Sequence, residues 1–333
     1  MKKSLLFKKI SGNRVECKTC SQKCVLGNNQ VGLCGVRKNI NGTLYSLVYG
    51  KVCALAIDPI EKKPFFHFFP GEKALSLATV GCNLRCAHCQ NAEISQQVKL
   101  DGKILGEDYS PKEIVNLAKE KRVPIIAYTY TEPTVFLEYA LDIMRLAKKA
   151  GLFNVWVSNG YFSKEAFDLV APYLDGINVD LKFFDEKISL EITGGLVKPV
   201  LDNLIRIKEK GIHLEVTTLI IPGWTNTHQQ IQKIAHFIAN SISKETPWHI
   251  SAFYPCYKMK DVPPTSLEEL DQAYEIGRKQ GLKYIYQGNV SKQANTYCPK
   301  CGSLVIERFG YQITRFDKKG HCPSCGYEIK GVW

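Results

Sequence analysis

The stretch LSLATVGCNLRCAHC, residues 75–89, sets a six-residue apolar run directly against three cysteines. The run 75–80 reads as a strand buried on both faces, the kind found in parallel sheets. Five further runs of this type follow, at 124–130, 153–158, 176–182, 213–220 and 248–254, with helical patterns between them. Two of the helices announce their starts. Ser110-Pro111-Lys112-Glu113 and Ser266-Leu267-Glu268-Glu269 each place a serine at the N-cap and a glutamate at the capping-box position. The segment 99–110 is polar and reads as a loop. Six such units predict a parallel α/β fold, either a doubly wound sheet or an incomplete, TIM-like (β/α)6 barrel. In both, ligands sit at the C-terminal ends of the strands, which is where the three cysteines lie.

The chain around this core has 333 residues, 45% of them hydrophobic and 23% charged, which excludes a disordered or fibrous protein. No apolar run approaches the roughly 18–20 residues that a membrane span needs. The opening MKKSLLFKKI is too short in apolar residues for a secretory signal, so a cytoplasmic protein without a membrane partner is expected. In that compartment 13 cysteines point to metal binding or redox chemistry.

The cysteines fall into groups. Cys17, Cys20, Cys24 and Cys34 form one set of four; Cys298, Cys301, Cys322 and Cys325 form another; Cys82, Cys86 and Cys89 are three; Cys53 and Cys256 stand alone. The last four lie in two knuckles, CPKCG and CPSCG, and give a structural zinc pattern or a rubredoxin-like iron site. The first four also read as a closed site, for zinc by preference or for an accessory iron–sulfur cluster. Charge follows the same division. Residues 1–74 hold 13 Lys and Arg against 4 Asp and Glu, and residues 283–333 hold 8 against 3. The basic ends suit an acidic macromolecular partner or simply offset metal–thiolate sites. Three modules are expected: a Cys-rich module over 1–74, a core over 75–290 and a zinc-ribbon or rubredoxin-like module over 291–333.

Three thiolates on a [4Fe–4S] cluster leave one iron without a protein ligand. S-adenosylmethionine can chelate that iron, and one electron from the cluster then splits it into methionine and a 5′-deoxyadenosyl radical that abstracts hydrogen. CxxxCxxC at this place resembles the radical S-adenosylmethionine (SAM) enzymes. DPIEKKPFFHFFPG (58–71), GCNLRCAHCQN (81–91), YTYTEPT (128–134), VSNG (157–160), VDLK (179–182), IIPGWTN (220–226), HISAFYPCYK (249–258), YQGNV (286–290) and the closing CPKCG…CPSCGYEIKGVW resemble one family in particular. That family is the radical SAM enzyme of the AmmeMemoRadiSam system, itself similar to pyruvate formate-lyase-activating enzymes.

The resemblance implies a radical SAM type of partial barrel and an oxidoreductase-like enzyme. Cys82, Cys86 and Cys89 are implied as cluster ligands, and His88, where many relatives have an aromatic residue, as a neighbour of the adenine. Glu132 matches the glutamate of a glycine-glycine-glutamate motif that receives the methionyl ammonium, although Tyr130 and Thr131 replace the glycines. Ser158 and Asn159 are implied as cofactor contacts. Asp180 and Lys182, two apart and so on one strand face, are implied at the ribose and carboxylate. Asp58, Glu61, Lys62, Lys63 and His67 read as a solvated loop, Cys256 as a packing residue, and His249 as a core histidine with a partner. The substrate class stays open between a protein glycine, RNA and a small molecule handled with AMMECR- and Memo-family proteins. Each requires a one-electron donor. A glycyl radical enzyme activase is the alternative within the class. A zinc-dependent nucleic-acid-binding protein is the alternative outside it, and it leaves the three cysteines unexplained.

Overall fold

The computed structural model describes residues 1–333. Its centre is an eight-stranded sheet of β1 Ala54–Pro59, β2 Lys73–Ala78, β3 Ile125–Tyr128, β4 Phe153–Ser158, β5 Gly176–Asp180, β6 His213–Ile220, β7 Trp248–Ala252 and β8 Ile285–Gly288. The strands lie side by side in chain order, and every neighbouring pair from β2 to β8 is parallel. A doubly wound sheet needs a reversal of strand order. There is none, so the sheet is the partial barrel. Its edges, β1 and β8, do not pair with each other.

All six expected strands form, and two more join them. β8 extends the parallel series, and β1 pairs antiparallel with β2 in a hairpin. The module edge expected between residues 74 and 75 therefore falls inside β2. Helices α1 Pro111–Glu120, α2 Leu137–Lys149, α3 Lys164–Val170, α4 Lys198–Glu209, α5 His228–Phe237 and α6 Leu267–Lys279 carry the crossovers. Both expected capping boxes are present, at Ser110 with Glu113 and at Ser266 with Glu269. The segment 99–110 is not all loop: it includes the end of a helical turn, Val98–Asp101, and a short strand, Glu107–Asp108, that pairs with Lys51–Val52.

The loop from Ile60 to Glu72 is a second departure from expectation. Asp58, Glu61, Lys63 and His67 are buried rather than solvated. Asp58 and Lys63 pair with each other at 2.7 Å, and Glu215 on β6, a fully buried carboxylate, accepts from the Phe66 and His67 backbone N–H groups at 2.7–3.0 Å. His249 also meets Glu215, at 2.6 Å, as a core histidine with a partner should. A buried carboxylate is stable only with such donors around it, so Glu215 draws the loop into the barrel.

Residues before β1 build two three-stranded antiparallel sheets. They dock on the barrel through a buried two-pronged ion pair, Arg37 Nη2 to Glu138 Oε2 at 2.8 Å and Nη1 to Oε1 at 3.0 Å. The tail forms its own three-stranded sheet from Thr296 to Arg315. Buried Arg308 fixes it to the barrel by donating to the Phe66 carbonyl at 2.8 Å. No helix is long and apolar enough to cross a membrane.

Candidate metal and cofactor site

β2 ends at Ala78, and the chain turns at Gly81 into the loop of Cys82, Cys86 and Cys89. Gly81 has φ +98°, and a Cβ there would lie 2.7 Å from the Cys34 carbonyl oxygen, so the N-terminal module abuts this turn. The loop is held by two backbone bonds, Arg85 N–H to Thr193 O at 2.7 Å and Ala87 N–H to Ile192 O at 2.9 Å. Cys82 and Cys86 are buried and Cys89 half-buried, and all three line a cavity of about 460 Å³. Their sulfurs do not gather to within 4.8 Å of one another as ligands of a single ion do.

Burial pushes the Cys82 and Cys86 thiols up, Cys86 to about 11, while Lys99 beside Cys82 and Lys182 beside Cys86 pull them back. Metal ligation requires thiolates, and a cationic iron core supplies the missing stabilisation. The donor set thus fits a cluster: three thiols, too widely set for one ion, with lysines near them.

His88, Ser158, Asn159, Asp180 and Lys182 line the same cavity. His88 is buried with both ring nitrogens unpartnered, and burial, with Lys182 nearby, lowers its pKa to about 3, so it is neutral. Unpaired buried nitrogens at a cavity wall mark a place that a ligand completes. Asn159 Nδ2 donates to Asn83 Oδ1 at 2.8 Å and points at Cys82 Sγ at 3.7 Å. Asp180 and Lys182 form an ion pair of 2.7 Å at the wall. Burial works against the Lys182 ammonium, but Asp180 and the Cys86 sulfur outweigh it and hold its pKa above the usual value.

Glu132 departs from expectation. It does not line the cavity and is fully buried. Its carboxylate accepts from the Thr134 N–H and hydroxyl, from the Ser158 hydroxyl at 2.9 Å and from the Asn159 N–H at 2.8 Å. With its oxygens already engaged, Glu132 braces Ser158 and Asn159. The backbone before it keeps the shape that glycines would favour: Tyr130 sits at φ +64°. Its hydroxyl bonds Asp58 Oδ2 at 2.5 Å, and the Lys63 ammonium lies 4.2 Å from its ring centre.

Several lining residues were not legible from spacing. Lys62 and Lys63 come from the buried loop, and Tyr311 comes from the turn of the tail hairpin. Lys99 donates to the Leu84 carbonyl inside the cysteine loop. Cys256 donates to the His88 carbonyl at 3.4 Å and is not part of the cavity wall.

The two sets of four cysteines differ. The tail sulfurs of Cys298, Cys301, Cys322 and Cys325 all lie within 4.8 Å of one another, on knuckle turns where Gly302 and Gly326 take φ +75° and +70°. Cys17, Cys20, Cys24 and Cys34 line one small cavity but do not gather in that way.

Residues 76–238 match the Radical SAM superfamily model. An uncharacterised protein of Methanocaldococcus jannaschii is 42% identical over 99% of this chain and 99% of its own. A pyruvate formate-lyase-activating enzyme of Clostridium pasteurianum is 23% identical over 62% of this chain and 87% of its own. Among solved structures, Streptococcus suis SuiB bound to the precursor peptide SuiA superposes with a TM-score of 0.53 at 14% identity, over 69% of this chain and 51% of SuiB. The chain belongs to the radical SAM superfamily, as an enzyme related to the activating enzymes of glycyl radical proteins.

Proposed function

We propose that Cys82, Cys86 and Cys89 hold a [4Fe–4S] cluster and that the enzyme cleaves SAM reductively, using the resulting radical to take hydrogen from its substrate. The observation that carries this reading is the meeting of three widely set thiols, unpartnered His88 and the Asp180–Lys182 pair at one cavity. When bound, the cluster supplies the electron and the open iron position. The protein's part is to orient the cofactor: Asn159 and Ser158, braced by Glu132, on one strand end, and Asp180 and Lys182 on the next. Lys62, Lys63 and Tyr311 line the same cavity and are placed to meet the substrate. We assign zinc to the four tail cysteines. The wider resemblance supports membership of the AmmeMemoRadiSam group, with AMMECR- and Memo-family partners.

The test is the cluster itself. Cys82→Ala, Cys86→Ala and Cys89→Ala together should remove about four irons per chain relative to the wild type. The same iron count in both proteins would end the ligand assignment.

A further inference from the structure

We infer that Cys17, Cys20, Cys24 and Cys34 bind a second [4Fe–4S] cluster, beside the first, and not a zinc ion. The two terminal groups of cysteines are built to different dimensions. Zinc bonds sulfur at about 2.3 Å, which puts four tetrahedral sulfurs about 3.8 Å apart. The tail meets that requirement: Cys298 and Cys325 approach to 3.6 Å, and so do Cys301 and Cys322. The N-terminal sulfurs do not. No three of them gather within 4.8 Å of one another as the tail sulfurs do. Yet all four line a single cavity. Sulfurs that share one metal ion must crowd together, and these four are not gathered as the tail sulfurs are, which argues against zinc. In a [4Fe–4S] cluster each cysteine takes its own iron, so the sulfurs stand apart around a core of iron and sulfide. Cys82, Cys86 and Cys89 are set apart in the same manner. That comparison rests on the cluster reading above.

A second observation is independent of sulfur spacing. Arg37 and Asn83 line the N-terminal cavity, and each is only 2% exposed. Arg37 Nε and Asn83 Nδ2 have no hydrogen-bond partner. Leaving two buried donors unpaired is costly. The bridging sulfides of a cluster accept such bonds, and the arginine charge offsets the negative charge that four thiolates bring.

The site also has a defined neighbour. Asn83 directly follows Cys82, and Gln22, which lines the same N-terminal cavity, donates to the Asn83 carbonyl at 3.0 Å. The second cluster therefore adjoins the loop of the catalytic one.

The experiment counts metal and acid-labile sulfide after anaerobic reconstitution. Wild-type protein should hold about eight sulfides per chain, and the variant lacking Cys82, Cys86 and Cys89 about four. Adding Cys20→Ser and Cys24→Ser to that variant should remove the remaining sulfide and leave the tail metal in place. Wild-type protein with about four sulfides and two zinc ions would overturn the inference while leaving the catalytic reading intact. So would sulfide that survives the loss of Cys20 and Cys24. Equal sulfide with and without Cys82, Cys86 and Cys89 would instead sink the catalytic assignment. The wild-type count does not depend on how any variant folds.

Discussion

Asp180 and Glu132 are both carboxylates near the catalytic loop, but their surroundings assign them different work. Asp180 faces the cavity and pairs with Lys182, whereas Glu132 is sealed off behind Ser158 and Asn159. Asp180→Asn should weaken SAM binding about 10- to 100-fold, the loss of one charged hydrogen bond. Glu132→Gln should lower thermal stability while shifting SAM affinity by less than about threefold, because an amide replaces a brace and not a contact. Equilibrium binding of SAM to both variants checks the pair. His67 is the residue whose charge state bears on stability. Burial lowers its pKa to about 4, and its ring meets the Lys330 carbonyl at 2.8 Å and the Tyr286 hydroxyl at 2.6 Å. From its ordinary value of 6.5 down to about 4, the unfolded chain binds a proton at this ring and the folded chain does not. Stability from this group is therefore present above pH 6.5 and falls with pH below it, by at most about 1.4 kcal/mol per unit. His67→Gln should flatten that slope in urea titrations between pH 6.5 and 5; an unchanged slope would place the proton elsewhere. The charged run Glu61-Lys62-Lys63 makes the segment look solvated; the four phenylalanines that flank His67 are the local sign of burial, and Glu215, far along the chain, completes it.

At the scale of elements, what the sequence disclosed was whatever local pattern dictates. The six apolar runs became strands because continuous apolarity means burial on both faces. Ser110 and Ser266 became N-caps because their capping boxes close within three residues. β8 escaped notice because it is short and carries Gln287, and β1 because it is a half-exposed edge strand ending in Asp58 and Pro59. Their strand state comes from pairing with neighbours. The cavity divides along the same line: residues at strand ends were foreseeable, while Lys62, Lys63 and Tyr311 arrive by tertiary folding. The tail illustrates how an element is held by metal. Its sheet has a small core around Val305, Ile306 and Ile329 and relies on the knuckles for closure. Cys301→Ser should make residues 296–333 sensitive to protease at temperatures where the barrel resists. Unchanged cleavage would mean that the tail folds without its metal. Because Tyr311 lines the cavity, the same variant should also impair substrate turnover more than uncoupled SAM cleavage.

Taken whole, the molecule is a barrel open at one seam, with a cysteine module against its catalytic loop and a second one under its buried loop. Lys2, Lys3, Lys8 and Lys9 are exposed on the N-terminal module. Reversing all four to glutamate should weaken capture of an acidic partner and reduce its salt dependence without altering SAM cleavage. Binding that ignores both salt and the reversals would show that this charge serves the metal site alone. The account as a whole turns on whether the loop after β2 does radical chemistry. The direct measurement is 5′-deoxyadenosine formed from SAM by the reconstituted, reduced protein under anaerobic conditions, compared with Cys86→Ala. Wild type should form it, and the variant should fall to the level of a protein-free control. Equal formation by both, or none by a wild-type protein that holds its full iron, would contradict the account.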